Sequence, residues 1–173
     1  MSLLDTLRCN NIVRTLERMS MRTALVAVAL LLLGIAIVSP HGSSSKGPYH
    51  ADIVRSPGVL NPDVTQANIT ATICVQGWTK TIRPPTSYTN ALKQKQMGEY
   101  GLAGSPSDYQ EDHLISLELG GHPTDPRNLW PEPYPRASEV DSIENDLNAK
   151  VCARALSLDD AQRKESVLKH TDG

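Results

Sequence analysis

The pattern of apolar and polar positions predicts two helices in the last part of the chain. The apolar residues that recur at helical spacing between Ser138 and Cys152 are Val140, Ile143, Leu147 and Val151. The polar residues that lie largely on the opposite face of this helix are Asp141, Glu144, Asn145 and Asn148. A later helix is predicted from Leu158 to Lys169, with Ser157 as its N-cap and Asp160 completing an approximate capping box.

Two further helices are predicted upstream. The first runs from Asn61 towards Cys74, because asparagine is a good cap and proline follows at the first helical position. The second runs from Ser87 to Tyr100 and is ended by Gly101. Between them, the segment from Gln76 to Pro85 is predicted to be extended and to be broken by its two final prolines.

A short apolar run in the middle of the chain favours a strand. Its apolar residues are Leu114, Ile115, Leu117 and Leu119. The residues that follow, beginning with Gly120 and Gly121, are rich in glycine and proline, which bends the chain back and returns Asn128 towards His113. The sequence therefore predicts an α+β domain, with helices before and after a hairpin.

The longest apolar run, Ala24 to Val38, spans 15 residues between Arg22 and Ser39. This length is at the top of the range for a signal-peptide core and below the roughly 20 residues of a comfortable membrane span. Residues 1–40 are therefore predicted to be a signal peptide or an uncleaved anchor. The domain is expected to be exported, and to be periplasmic, secreted or anchored to the inner membrane. The alternative, a buried core helix, does not explain the basic flank before the run.

Residues 41–57 are predicted to be a flexible linker, because they are rich in serine, glycine and proline. The domain that follows is placed at residues 58–173, with its core at residues 109–152. Cys74 and Cys152 both follow the apolar run, and thiols in an oxidising compartment usually pair. We predict a disulfide between them, with two separately buried thiols as the alternative.

Charge changes the picture of possible partners. The formal net charge is -2 for the whole chain, and from Ser39 onward 13 Lys and Arg stand against 17 Asp and Glu. Because an acidic domain does not attract nucleic acid by its overall field, any such contact must rely on a local basic patch. The best candidates for phosphate contact are Lys80, Arg83, Lys93, Lys95, Arg127 and Arg136. A solvated basic face is the alternative.

The candidate chemistry is concentrated between Tyr109 and Pro133. Asp112 and His113 precede the apolar run, and Asn128 follows the turn. Carboxylate and amide oxygens are hard ligands, so Asp112 and Asn128 could hold one divalent metal ion while the imidazole of His113 is left free. Such an arrangement is typical of phosphodiester hydrolysis. Taken alone, His113 would more simply be a core histidine.

This stretch resembles the HNH nucleases, the ββα-metal superfamily. The family's core pattern is matched in order by Asp112-His113, Gly120-Gly121 and Asn128-Leu129. More narrowly, the chain is similar to small exported bacterial members that carry Asp-His-Leu-Ile, Leu-Gly-Gly and Asn-Leu-Trp-Pro. The resemblance covers about a quarter of the chain, residues 109–152, and it implies a ββα-metal core with additional flanking helices.

The resemblance also implies a role for each matching residue. His113 would be the general base that deprotonates a water, while Asp112 and Asn128 would hold the metal ion. The family's third position lies on the following helix, where Asn148 is the first choice. Glu144, one turn earlier, could share the site, and Asn145 is the next candidate. The expected cofactor is one divalent ion, with Mg²⁺ preferred and Mn²⁺, Zn²⁺ or Ni²⁺ as alternatives.

The predicted function is that of an exported, metal-dependent endonuclease that hydrolyses phosphodiester bonds of nucleic acid, with DNA as the favoured substrate. Two alternatives belong to other classes: a non-catalytic binding module that keeps the HNH fold, and an envelope structural module held by its disulfide. The N-terminal segment is the predicted membrane contact, and no protein partner is inferred.

Overall fold

The computed structural model describes residues 50–171, which contain helices and one small sheet. The elements in chain order are α1 (Trp78–Ile82), α2 (Thr86–Tyr100), β1 (Tyr109–His113), β2 (Leu129–Pro133), α3 (Arg136–Cys152) and α4 (Leu158–Thr171). The strands are antiparallel, with Asp112 opposite Trp130 and His113 opposite Leu129. The α+β class predicted from the sequence is confirmed.

The strand predicted over the apolar run is displaced towards the N-terminus. Pairing ends at His113, and Leu117–Leu119 form a short 3-10 turn. Ile115 and Leu119 instead pack among buried side chains of α3 and α4. The prediction was wrong because these apolar residues are buried beneath helices. An apolar run does not by itself distinguish a segment buried in this way from a strand.

The two adjacent glycines in the loop between the strands are each required for a different reason. Gly120 has a φ of 79°, in the left-handed region that favours glycine. A Cβ on Gly121 would overlap the carbonyl oxygen of Ile115. The predicted turn is therefore present, but it belongs to a compact loop over residues 114–128.

Three of the four helix predictions are confirmed, with small changes at the ends. Helix α2 begins at Thr86 and ends at Tyr100, and the following Gly101 has a φ of 65°. Helix α3 begins at Arg136, slightly before the predicted start. At the start of α4, Ser157 Oγ accepts a hydrogen bond from the Asp160 backbone N–H at 3.1 Å, so the predicted cap is present.

Two predictions upstream of α2 are wrong. The helix expected from Asn61 to Cys74 is replaced by turns and a single 3-10 turn at Ile69–Ala71. The backbone N–H of Asn61 donates to the carbonyl oxygen of Gly120 at 2.8 Å, which ties this segment to the loop. The segment from Gln76 to Pro85, expected to be extended, contains α1 because its prolines lie beyond the helix end.

The end of the predicted linker belongs to the folded unit. The Ala51 backbone N–H donates to the carbonyl oxygen of Lys169 at 2.8 Å, and the buried Ser56 Oγ donates to that of Leu129 at 2.9 Å. For residues 50–57 the flexible linker is therefore a wrong prediction. The predicted signal peptide or anchor, including the run from Ala24 to Val38, lies outside the described residues. Within residues 50–171, no helix is long and apolar enough to cross a membrane.

One cluster of apolar side chains, here called the aliphatic core, joins the loop to α3 and α4. Its members are Val64, Ile69, Ile73, Ile115, Leu119, Leu147, Val151, Leu158 and Ala161. Cys74 packs against it and is bonded to Cys152, with their Cα atoms 5.5 Å apart. The predicted disulfide is confirmed, and it connects the segment before α1 to the end of α3.

Candidate active site

A polar pocket of about 330 Å³ opens beside the end of β1. It is lined by Asp112 and His113 from β1, by Asp141 and Glu144 from α3, and by Arg83, which directly follows α1. We call it the acidic pocket. Two residues that the sequence pattern singled out, Asp112 and His113, are therefore brought together with a face of α3.

Three carboxylates of the acidic pocket lie close enough to share one cation. Asp112, Asp141 and Glu144 each offer an oxygen within 4.8 Å of the others. Asp141 and Glu144 are one turn apart on α3, which places them on the same side of the helix. Gln110 Nε2 donates to Asp112 Oδ1 and to Asp141 Oδ1, both at 3.3 Å, and so links the strand to the helix.

A lysine from α4 contacts two of these carboxylates from within the protein. The Lys169 side chain is buried and donates to Asp112 Oδ2 at 2.6 Å and to Glu144 Oε1 at 2.5 Å. Its third hydrogen bond goes to the backbone carbonyl oxygen of His113 at 2.5 Å. Glu165 Oε1 lies 3.4 Å from the same nitrogen. One ammonium therefore sits among three carboxyl groups.

In and beside this cluster, burial raises the pKa values of the carboxyl groups, and the charge of Lys169 opposes that effect. Burial, together with the charge of Asp112, raises the pKa of Glu132 to about 9. Burial also raises the pKa of Glu165 to about 7, despite the attraction of Lys169. It raises the pKa of Glu144 well above its ordinary value. For Asp112, burial opposes ionisation, but the Lys169 ammonium lowers the pKa overall, so Asp112 stays ionised.

His113 is buried, and one of its ring nitrogens is already engaged. Nε2 lies 3.0 Å from the carbonyl oxygen of Pro123. Because a carbonyl can only accept, Nε2 must carry the proton there, which leaves Nδ1 as the nitrogen with a free lone pair. Burial lowers the pKa of His113, so the neutral imidazole is favoured.

Asn128, the second predicted metal ligand, does not line the acidic pocket. Its Oδ1 accepts from the backbone N–H groups of Ile115 at 3.0 Å and Val59 at 3.3 Å. Its Nδ2 donates to the carbonyl oxygens of Ile115 and His122, both at 3.0 Å. The side chain is 0% exposed, and both lone pairs of its oxygen are used. Asn128 therefore holds the loop together, and the ligand prediction is corrected.

On α3, the second choice for the third position reaches the pocket and the first choice does not. Asn148 Nδ2 donates to the carbonyl oxygens of Glu118 at 2.7 Å and Ile73 at 3.3 Å. These bonds tie α3 to the loop and to the segment before α1. Glu144, one turn earlier, lines the acidic pocket, and so does Asn145. The prediction of Asn148 as a ligand is therefore corrected, and Glu144 remains a candidate.

Of the six basic residues proposed for phosphate contact, Arg83 lines the acidic pocket. Lys80 is exposed on α1 outside the pocket lining. The other four have partners outside the pocket: Lys93 Nζ contacts the Tyr109 carbonyl oxygen, Lys95 contacts Glu99, Arg127 contacts Asp125 and Arg136 contacts Glu139. The structure therefore does not gather the six residues at the pocket.

Three residues of the site were not predicted: Asp141, Gln110 and Lys169. Asp141 had a detectable signal, because it precedes Glu144 by one helical turn on the polar face of α3. Gln110 lies two positions before Asp112 on β1 and so shares its face. Lys169 has no local signal, because the contact with Asp112 spans 57 positions of the chain.

Comparisons with protein-family models, with curated proteins and with solved structures found no match for this chain.

Proposed function

We propose that this protein is a metal-dependent endonuclease of the HNH type that hydrolyses phosphodiester bonds of nucleic acid, DNA in the first instance. The observation that carries the proposal is the meeting, in one pocket, of His113 with three carboxylates that lie within 4.8 Å of one another. The chain order β1, β2, α3 supports the ββα arrangement that the sequence resemblance implies.

The donor set fits a hard divalent ion. Asp112, Asp141 and Glu144 would hold it through carboxylate oxygens, which suit Mg²⁺ and Mn²⁺ better than they suit softer ions. When bound, such an ion polarises the scissile phosphate and stabilises the leaving oxygen. Zn²⁺ and Ni²⁺ are less favoured here, because no histidine or cysteine belongs to this group among the described residues.

His113 is the proposed general base. The Pro123 carbonyl fixes the proton on Nε2, so Nδ1 can accept a proton from the attacking water. Arg83 is the cationic side chain that lines the pocket, and it would pair with a phosphate oxygen of the substrate.

A second candidate function, a non-catalytic module with the same scaffold, is favoured by one observation. Lys169 already donates a hydrogen bond to Asp112 and to Glu144, so two of the three carboxylates have a cationic partner without a metal ion. A buried ammonium that merely replaced the ion would leave a folded but inactive domain.

Plasmid nicking with the purified exported domain, with and without Mg²⁺ or Mn²⁺, tests the two candidates. His113→Ala should reduce the rate by about two to four orders of magnitude, the usual contribution of a general base, while calorimetry still detects bound metal. Asp112→Ala should lower the cleavage rate and also weaken metal binding. The control is His50→Ala, which changes an exposed histidine. If the wild-type domain neither cuts DNA or RNA nor binds either ion, the nuclease proposal fails and the scaffold function stands.

We also propose that the domain acts outside the cytoplasm. The bond between Cys74 and Cys152 supports an oxidising compartment, because such bonds rarely persist in a reducing cytosol. A reporter that is active only in the cytoplasm, fused after Gly173, should be silent. Full reporter activity would contradict export.

A further inference from the structure

Lys169 has no role in the proposed reaction, yet its ammonium is fully buried beside the site. Its side chain is 0% exposed and comes from α4, far along the chain from the other pocket residues. We propose that Lys169 is a positioning residue, whose ammonium holds Asp112 and Glu144 so that one oxygen of each is left for a divalent ion. The inference rests on the proposed function for the identity of that ion.

The hydrogen bonds of the ammonium use one oxygen of each of two carboxylates. Lys169 Nζ donates to Asp112 Oδ2 and to Glu144 Oε1. The other oxygen of the aspartate, Oδ1, accepts from Gln110, which also bonds to Asp141. Thus Asp112 lies between the buried ammonium on one side and the pocket residues on the other.

The same ammonium also fixes the backbone that carries the base. Its third N–H donates to the carbonyl oxygen of His113, where β1 ends. An ammonium has three N–H donors, so these three bonds use all of them. Because one group holds both ligand carboxylates and the His113 backbone, displacing it should change their relative positions.

A second contact from α4 keeps the lysine in place. Glu165, one turn before Lys169, accepts from the Ser116 backbone N–H at 2.9 Å and lies 3.4 Å from the ammonium. Helix α4 is therefore joined to the loop at Ser116 and, one turn later, to the end of β1. This geometry gives α4 a function beyond covering the aliphatic core.

Charge compensation determines what should happen when the lysine is removed. Buried carboxylates without a counter-charge are strongly unfavourable, and a divalent cation is the group that could replace the ammonium. A variant without Lys169 should therefore depend on metal for its stability. Its ligands should also be less well placed, and misplacement of about 1 Å can cost about a hundredfold in rate.

The test compares Lys169→Met with Lys164→Met, which removes an exposed lysine from the same helix. In Lys169→Met, Mn²⁺ should raise the melting temperature by more than in the control. At saturating Mn²⁺, kcat on a DNA oligonucleotide should fall about a hundredfold, while KM stays unchanged because Lys169 does not line the pocket. A merely structural lysine would not separate kcat from KM in a folded variant.

The failures of the two proposals are distinguishable. If the wild type cuts DNA and Lys169→Met matches the control in kcat and in its response to Mn²⁺, the positioning role is overturned and the nuclease stands. If the wild type is inactive, the nuclease proposal fails, and the melting temperatures alone decide the role of Lys169.

A variant that does not fold is also informative. Should Lys169→Met remain unfolded even with Mn²⁺, the double variant Lys169→Met with Glu144→Gln decides, because it removes a carboxylate together with its cation. Recovery of folding supports charge compensation. A double variant no more stable than the single one overturns it.

Discussion

Helix α3 borders two regions that are stabilised in different ways. Towards the aliphatic core it contributes Leu147 and Val151, which pack among other apolar side chains. Towards the acidic pocket it contributes Asp141 and Glu144, and Glu144 is held by the ammonium of Lys169. One helix thus separates a region stabilised by removal of apolar surface from water and a region stabilised by charge compensation.

The difference predicts how each region responds to a change. Apolar packing is non-directional, so the loss of one side chain costs its burial and leaves a cavity. In the charged cluster, the loss of one partner leaves another charge buried without compensation. The core should therefore be insensitive to metal ions, whereas the pocket should respond to them.

The largest expected effect belongs to the disulfide at the edge of the core. Replacing Cys74 and Cys152 together by serine should lower the free energy of unfolding by about 4 kcal/mol, because the bond closes a long loop in the unfolded chain. The sequence separation of the two cysteines is 78 residues. Urea denaturation measures this loss of stability, which should be the same with Mn²⁺ as without it. A loss that Mn²⁺ restores would mean that the bond supports the pocket rather than the core.

Within the core, Leu119→Ala should lower the free energy of unfolding by about 3 kcal/mol, which is within the range for a buried leucine. Leu119 is 0% exposed, and Val167→Ala, at an exposed position on α4, is the control. Denaturation curves should shift for the first variant and hardly at all for the second. Equal shifts would show that the loop carrying Leu119 is not packed as described.

Asn128→Asp separates the structural role of this residue from a ligand role. Aspartate keeps the two acceptor bonds but loses the donors to the carbonyl oxygens of Ile115 and His122, which should cost about 1 to 3 kcal/mol. If Asn128 were a ligand, the added carboxylate should instead tighten Mn²⁺ binding. Calorimetry and denaturation, with the exposed Asn90→Asp as control, distinguish the two results.

The smallest effect on stability is expected at the rim of the pocket. Asp141→Asn should change the free energy of unfolding by less than about 0.5 kcal/mol, as for most substitutions at accessible sites. It should nevertheless weaken Mn²⁺ binding by about tenfold or more, since loss of an outer partner of a metal already costs that much. Asp146→Asn on the same helix is the control. Unchanged Mn²⁺ affinity in Asp141→Asn would remove this residue from the site.

Helices α2, α3 and α4 were predictable because their signals are local. Apolar spacing, the left-handed glycine after Tyr100 and the serine cap before Leu158 act within a few residues of one another. The adjacent pair Asp112 and His113 was also accessible from the sequence, since their order and neighbours form a compact motif. The disulfide followed from the number and the placement of the cysteines.

The errors arose where the same local pattern is compatible with more than one environment. The apolar run after His113 is buried beneath helices, although a strand would show a similar composition. Asn61 resembles a helix cap but bonds to Gly120. Asn128 and Asn148 have the right chemistry for ligands, but their amide groups are used by backbone partners.

What the sequence by itself determined are the features encoded over short distances: the α+β class, three helices, the cysteine pair and the placement of Asp112 beside His113. Only the tertiary structure decided which polar groups share the acidic pocket. Lys169 and Glu144 lie on different helices, and Lys169 meets Asp112 because packing of α4 brings the end of that helix to the end of β1. The physical reason is that a buried charge must find its partner in space, and residues remote in the chain provide it.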